Sequence, residues 1–208
     1  MIKLFKNVVL FTIFFAPASL VLAEGDIEAG KAKAKTCVAC HGVNGNSSNG
    51  EWPSLAAQGA AYHFKQLQEL QKNNGRANEL MAPMIKDLTE QDMLDLAAYY
   101  ESLALKPGVA QDGAADIKLG EAVYRGGNLS NGTPACIGCH GPAGKGNPAA
   151  KYPRVAGQHA VYTAIQLRSF RSGARSNDEN QMMRSIAHRM SDSEIEAVSQ
   201  YIAGLNQN

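Results

Sequence analysis

Apolar residues recur at helical spacing in two stretches about a hundred positions apart. Met93, Leu96, Ala97, Tyr100 and Leu103 follow one face of a helix, and Ile195, Val198, Ile202 and Leu205 repeat the pattern. Each run carries a start signal. Thr89-x-x-Asp92 and Ser191-x-x-Glu194 have the form of a capping box, in which a hydroxyl and a carboxyl satisfy otherwise free backbone N–H groups. Two more helices are predicted ahead of each run: Ile27–Cys40 and Ala60–Lys72 in the first half, Ile117–Gly126 and Ala160–Arg171 in the second. Gly30 and Gly120 lie inside the leading helices. A glycine there costs about 1 kcal/mol relative to alanine, so close approach of another helix would explain both. No stretch alternates as a strand would, and the chain reads as all-α.

The two halves are copies of one unit. Cys37-Val38-Ala39-Cys40-His41 matches Cys136-Ile137-Gly138-Cys139-His140 at an offset of 99. Trp52-Pro53-Ser54-Leu55-Ala56 matches Tyr152-Pro153-Arg154-Val155-Ala156 at 100, as do Gln58, Tyr62, Gln66 and Leu67 with Gln158, Tyr162, Gln166 and Leu167. The capping boxes, Tyr99/Tyr201 and Leu103/Leu205 align at 102. A drift of three implies only small loop insertions between the copies. Residues 24–106 form the first domain and 116–208 the second. The linker 107–115 carries Pro107-Gly108 and Asp112-Gly113, and its shortness implies that the units pack together.

Residues 1–23 stand apart. Lys3 and Lys6 precede an apolar run to Leu22, Val21-Leu22-Ala23 offers a cleavage site, and Glu24-Gly25-Asp26 turns polar. This is the pattern of a secretory signal peptide, with a retained membrane anchor as the alternative. The whole chain of 208 residues has 20 basic and 19 acidic side chains; removing the segment takes away two lysines and leaves a net charge of −1. That balance gives no basic excess for nucleic acid.

All four cysteines belong to the two C-x-x-C-H words. This is the attachment signature of c-type haem. Cys37, Cys40, Cys136 and Cys139 would bond the vinyl groups of two haem c groups, and His41 and His140 would lie beneath the irons as proximal ligands. Disulfides are an alternative for an exported chain, but they do not require a histidine after the second cysteine in both copies. Zinc is another, but it would need ligands from both copies.

The sixth ligand decides between a carrier and a catalyst. Met81 and Met183 each lie seven residues before a repeat-equivalent position, Leu88 and Met190, so they are the expected axial pair. Both are expected in irregular segments ahead of the capped helix. Met182 is the runner-up in the second unit, and Met84 and Met93 read as core filler. His63, His159 and His188 have no counterparts in the other unit, and read as surface or packing residues. Pro53 and Pro153 either offer a carbonyl to the proximal histidine's second nitrogen or pack on the haem edge. Arg154, Lys65 and Arg168 could pair with propionates, though solvated charge is the default.

With these features the chain resembles the dihaem cytochrome c4 family of tandem class I cytochrome c domains. The haem words, Trp52-Pro53, Tyr152-Pro153, Gln158-His159-Ala160-x-Tyr162, Arg125-Gly126-Gly127, Asn177-Asp178 and the methionine segments carry the resemblance, which covers almost all of the chain beyond residue 23. It implies a periplasmic electron carrier with two His/Met haems and no enzymatic activity, related domains about a pseudo-twofold axis, and propionates meeting at the interface. It also implies electrons received from a quinol-oxidising complex or small cytochrome and passed to a terminal oxidase, often with loose attachment to the membrane surface. Competing functions are an electron-accepting subunit of a dehydrogenase complex, such as a sulfide- or thiosulfate-oxidising enzyme, and a dihaem peroxidase. The latter needs an open haem beside an acid/base group.

Overall fold

The computed structural model describes residues 24–106, 108–110 and 116–205. The proposed signal peptide and most of the linker lie outside these. Within them the first unit runs α1 (Ile27–Lys33), a 3-10 turn (Ala34–Thr36), α2 (Val38–His41), α3 (Ala60–Gln71), α4 (Ala82–Ile85) and α5 (Glu90–Ser102). The second runs α6 (Ile117–Gly126), α7 (Ile137–His140), α8 (Ala160–Ser172), a 3-10 turn (Glu179–Gln181), α9 (Met182–Ala187) and α10 (Asp192–Gly204). Among the described residues, β structure is limited to three isolated bridges.

Each unit is built on one helix crossing. α1 packs on α5 and α6 on α10. The paired glycines make the approach possible: a Cβ on Gly30 would sit 2.0 Å from the Asp95 carbonyl oxygen, and one on Gly120 2.2 Å from that of Ala197. Both capping boxes are complete, with Thr89 and Asp92 starting α5 and Ser191 and Glu194 starting α10. Asp26 and Asp116 cap α1 and α6 by accepting from backbone N–H groups of the first turn.

Three expectations need correction. The helix expected over Ile27–Cys40 is broken: the N–H of Cys37 bonds the Ala34 carbonyl at 2.8 Å, and this tighter i→i+3 bonding ends the α pattern before the haem word. The copies also differ by more than a drift of three. The offset is 90 at Gly30 and Gly120 but 99 at the haem words, so nine extra residues precede the second word. They form a loop closed by the pairing of Asn128 with Thr133, and the Glu194 carboxylate holds it through Asn128 (2.7 Å) and Asn131 (3.0 Å). Finally, the methionine segments expected to be irregular contain short helices: Met81 is the N-cap of α4, and Met183 lies inside α9.

The cores are separate. Leu67, Ile85, Met93, Leu96 and Tyr100 fill the first, with Cys37 and Met81 packed against it. Val123, Tyr124, Met190, Ile195, Val198 and Ile202 fill the second, with Cys136 at its edge. The units meet through polar groups. Ser176 N–H bonds the Gly75 carbonyl at 2.7 Å, and Arg76 and Arg175 form a bridge across the boundary.

Candidate functional site

The two haem words adopt the same local form. Cys37 and Cys136 are N-cap residues of α2 and α7, and the N–H of each following histidine bonds back to that cysteine's carbonyl, at 2.9 Å for His41 and 3.0 Å for His140. One helical turn therefore sets the two cysteines and the histidine of each word at i, i+3 and i+4, on one side of the turn. The chain then turns sharply at Gly42 and Gly141, with φ of 81° and 78°. At Gly42 a side chain is excluded twice over, because a Cβ would also meet the Asn46 carbonyl oxygen at 2.2 Å. In both units the first cysteine is half-buried and the second is exposed, and all four thiols are free of disulfides. Burial pushes the Cys136 thiol up to about 11.

The histidines are held alike. Nδ1 of His41 lies 2.9 Å from the Pro53 carbonyl oxygen, and Nδ1 of His140 lies 2.9 Å from that of Pro153. Of the two readings of these prolines, the structure selects the carbonyl acceptor. The proline turns are themselves anchored. Leu55 and Ala56 N–H groups both bond the Gly45 carbonyl (2.7 and 3.0 Å), and Val155 and Ala156 bond that of Gly144 (2.8 and 3.1 Å). Ala57 N–H then reaches the Tyr100 carbonyl of α5, and Gly157 N–H that of Ile202 in α10. Burial depresses the basicity of His41 and of His140, against an opposing pull from the proline carbonyl.

These residues fit a covalently held haem. The Nε2 of His41 is buried and has no hydrogen-bond partner, while Nδ1 is occupied by Pro53. A neutral imidazole fixed in this way presents its Nε2 lone pair to a metal. Zinc finds no such support, since no three His, Cys, Asp or Glu residues gather into a metal-binding group among the described residues.

Met81 is half-buried against the first core, whereas Met84 is 56% exposed. Core filling therefore describes Met93, at 2% exposure, but not Met84. In the second unit Met182 and Met183 are both half-buried, and the Tyr152 hydroxyl lies 3.6 Å from the Met182 sulfur. His63 is a buried packing residue against the Tyr100 ring, His159 reaches the Ser47 carbonyl across the units through Nε2 at 3.0 Å, and His188 is exposed. Lys65 is paired with Glu69, and Arg168 with Glu196. Arg154 donates through Nε to the Ala57 carbonyl, but its buried Nη1 has no partner.

Sequence reasoning gave no role to Gln58 and Gln158. Each extends its side-chain amide across the boundary onto the residue after the other unit's proline. Gln158 accepts from Ser54 N–H (3.0 Å) and donates to the Ser54 carbonyl (2.9 Å). Gln58 accepts from Arg154 N–H (2.9 Å) and donates to the Arg154 carbonyl (3.1 Å). Their recurrence at an offset of 100 was the available signal.

The family model described as Cytochrome c matches residues 27–104 and again 117–206. The chain is 52% identical over 185 residues to the cytochrome c4 of Thiocapsa roseopersicina, covering 88% of this chain and 94% of that one. The crystal structure of reduced recombinant cytochrome c4 from Pseudomonas stutzeri is similar with a TM-score of 0.83 and 46% identity, over 88% of this chain and 100% of that one. A protein named thiosulfate dehydrogenase electron acceptor, from Stutzerimonas stutzeri strain A1501, is 36% identical over 178 residues, 84% of this chain and 81% of that one.

Proposed function

The chain belongs to the cytochrome c family as a dihaem electron carrier of the cytochrome c4 kind, and on that premise we propose that it passes single electrons through two His/Met-ligated haems in the periplasm, toward a terminal oxidase. The observation that carries this reading is the doubled proximal arrangement, in which each C-x-x-C-H histidine is oriented by a proline carbonyl at 2.9 Å. When bound, each haem supplies a one-electron ferric/ferrous couple.

The chain's own groups do the rest. Cys37 and Cys40, with Cys136 and Cys139, would hold the cofactors covalently. His41 and His140 are kept in one tautomer by their prolines, with Nε2 available to the iron. Met81 and Met183 would each supply a thioether sulfur to an iron, which would leave no open position for a substrate. The half-buried position of Met81 and the exposure of Met84 support that choice in the first unit. Export through residues 1–23 would deliver the chain to the compartment where such haems are attached. No helix among the described residues is long and apolar enough to cross a membrane. Association with the outer face of the inner membrane would therefore involve other contacts or residues 1–23.

A redox titration followed by spectra tests the reading, together with a pyridine haemochrome count. The expected result is two c-type haems per chain, both low-spin with methionine ligation. A single haem, or a five-coordinate high-spin centre, defeats it.

A second reading makes the same two-haem chain the electron-accepting partner of a dehydrogenase. The 36% identity to a thiosulfate dehydrogenase electron acceptor favours it. Copurification of a catalytic chain from the native source would select this reading over a free carrier.

A further inference from the structure

The proline carbonyl that accepts from each proximal histidine belongs to a peptide group whose N–H is also engaged. In the first unit, Pro53 C=O accepts from His41 Nδ1–H, and the N–H of that same peptide, contributed by Ser54, donates to Gln158 Oε1. In the second, Pro153 C=O receives from His140 while the Arg154 N–H donates to Gln58 Oε1. Each chain of bonds begins in one unit and ends on the metal-facing ring of the other. Both use a histidine, a proline and a glutamine at repeat-equivalent positions, with the peptide N–H supplied by Ser54 in one and Arg154 in the other, and donor–acceptor distances between 2.9 and 3.0 Å.

Hydrogen bonds through a shared amide reinforce one another. An acceptor on the N–H shifts electron density toward the carbonyl oxygen, which then pulls harder on the imidazole proton. A ring with its Nδ1 proton drawn away is a more basic ligand at Nε2 and favours the higher oxidation state of a bound metal. We propose that Gln158 tunes the proximal histidine of the first unit and Gln58 that of the second, so that each domain sets the redox potential of the other's haem.

The glutamines are positioning residues, since they act through the peptide and touch neither ligand. This inference rests on the two-haem reading above. It also gives the polar interface a purpose beyond adhesion: the potential of either haem depends on the units being docked.

The test uses the holoprotein and the variants Gln158→Leu, Gln58→Leu and Gln158→Glu. Two observables are followed, the midpoint potential of each haem and the hyperfine-shifted ring resonances of His41 and His140. NMR connectivities from those rings assign each midpoint to its unit. Gln158→Leu is expected to raise the first unit's midpoint, shift the His41 ring resonances and leave the second unit unchanged. Gln58→Leu gives the crossed result. Gln158→Glu keeps an oxygen facing the Ser54 N–H, and the upward shift disappears. A purely structural role predicts otherwise, because a loosened interface admits water to both sites and lowers both midpoints. If both midpoints fall together, if each variant moves its own unit, or if neither moves, the inference is overturned. Should Gln158→Leu not assemble, Gln58→Leu carries the same test on the other haem. A wild-type count other than two haems would instead sink the underlying reading, so the two failures are distinct.

Discussion

The guanidinium of Arg175 donates to the hydroxyl of Tyr62 at 3.0 Å, from the second unit into the first. Arg76 returns the contact to Tyr162 at 2.8 Å. Both arginines also donate to Gln66 Oε1, which accepts from Asn177 as well. Burial pushes the Tyr62 phenol up, but the charges of Arg175 and Arg76 outweigh it, so the group sits below the usual phenol value. The boundary between the domains is therefore a hydrogen-bonded cationic seam rather than an apolar one.

Arg175 is 7% exposed and also donates to Gln166 (2.7 Å) and Asn177 (2.9 Å). Arg175→Ala removes the bonds to half-buried Tyr62, Gln166 and Asn177 and one of the three that buried Gln66 Oε1 accepts, and each lost bond to a charged donor costs about 1.5–3 kcal/mol. The expected result is a loss of roughly 3 kcal/mol and the splitting of one calorimetric transition into two as the units uncouple. Arg168→Ala, which removes a half-exposed pair with Glu196, should cost under about 1 kcal/mol. A single unshifted transition in Arg175→Ala would show that the seam does not hold the units together.

Gly30→Ala and Gly120→Ala should each destabilise. The added methyl would meet a backbone oxygen of α5 at 2.0 Å or of α10 at 2.2 Å, so the helices must separate at a cost of about 1–3 kcal/mol. Gly126, also helical, has nothing within 4 Å of an added Cβ, and Gly126→Ala should stabilise by about 0.5–1 kcal/mol. Denaturant midpoints of the three variants check the contrast.

Much of this was legible because duplication tests each motif against its twin. Thr89 and Ser191 announced α5 and α10, and Gly30 and Gly120 announced the crossings that the structure contains. The insertion before Cys136 was legible only in the offset of 90 between Gly30 and Gly120, because the haem words and proline turns fix a register that says nothing about the segment upstream. The break at Ala34–Thr36 was hidden, since Ala-Lys-Ala-Lys favours helix and only tertiary geometry around the haem word opposes it. The roles of Gln58 and Gln158 could not be read locally: their partners lie 96 and 104 residues away.

The methionine assignment separates by spectroscopy. Met81→Ala should remove about half of the methionine-to-iron charge-transfer absorbance, because one of two ligand sets is lost, and should lower one midpoint. Met84→Ala, at a side chain 56% exposed, should change neither. In the second unit Met183→Ala should act as Met81→Ala does. If Met182→Ala does so instead, the sulfur facing the Tyr152 hydroxyl is the ligand.

His63 ties stability to pH. It is 6% exposed, its ring lies 5.2 Å from that of Tyr100, and its Nδ1 has no partner. Burial above all pushes its pKa down to about 3 from an ordinary 6.5. The unfolded chain therefore binds a proton below pH 6.5 that the folded chain refuses. Stability contributed by the neutral ring is complete above that value and falls at about 1.4 kcal/mol per pH unit as pH drops toward the folded pKa. Between pH 7 and pH 5 the loss from this one group is about 2 kcal/mol. His63→Phe keeps an aromatic surface against Tyr100 and removes the titration. Urea unfolding of the holoprotein and of the variant at both pH values should show the wild type weakening more, by about that amount. Equal losses in the two proteins would mean that His63 is protonated in the folded state.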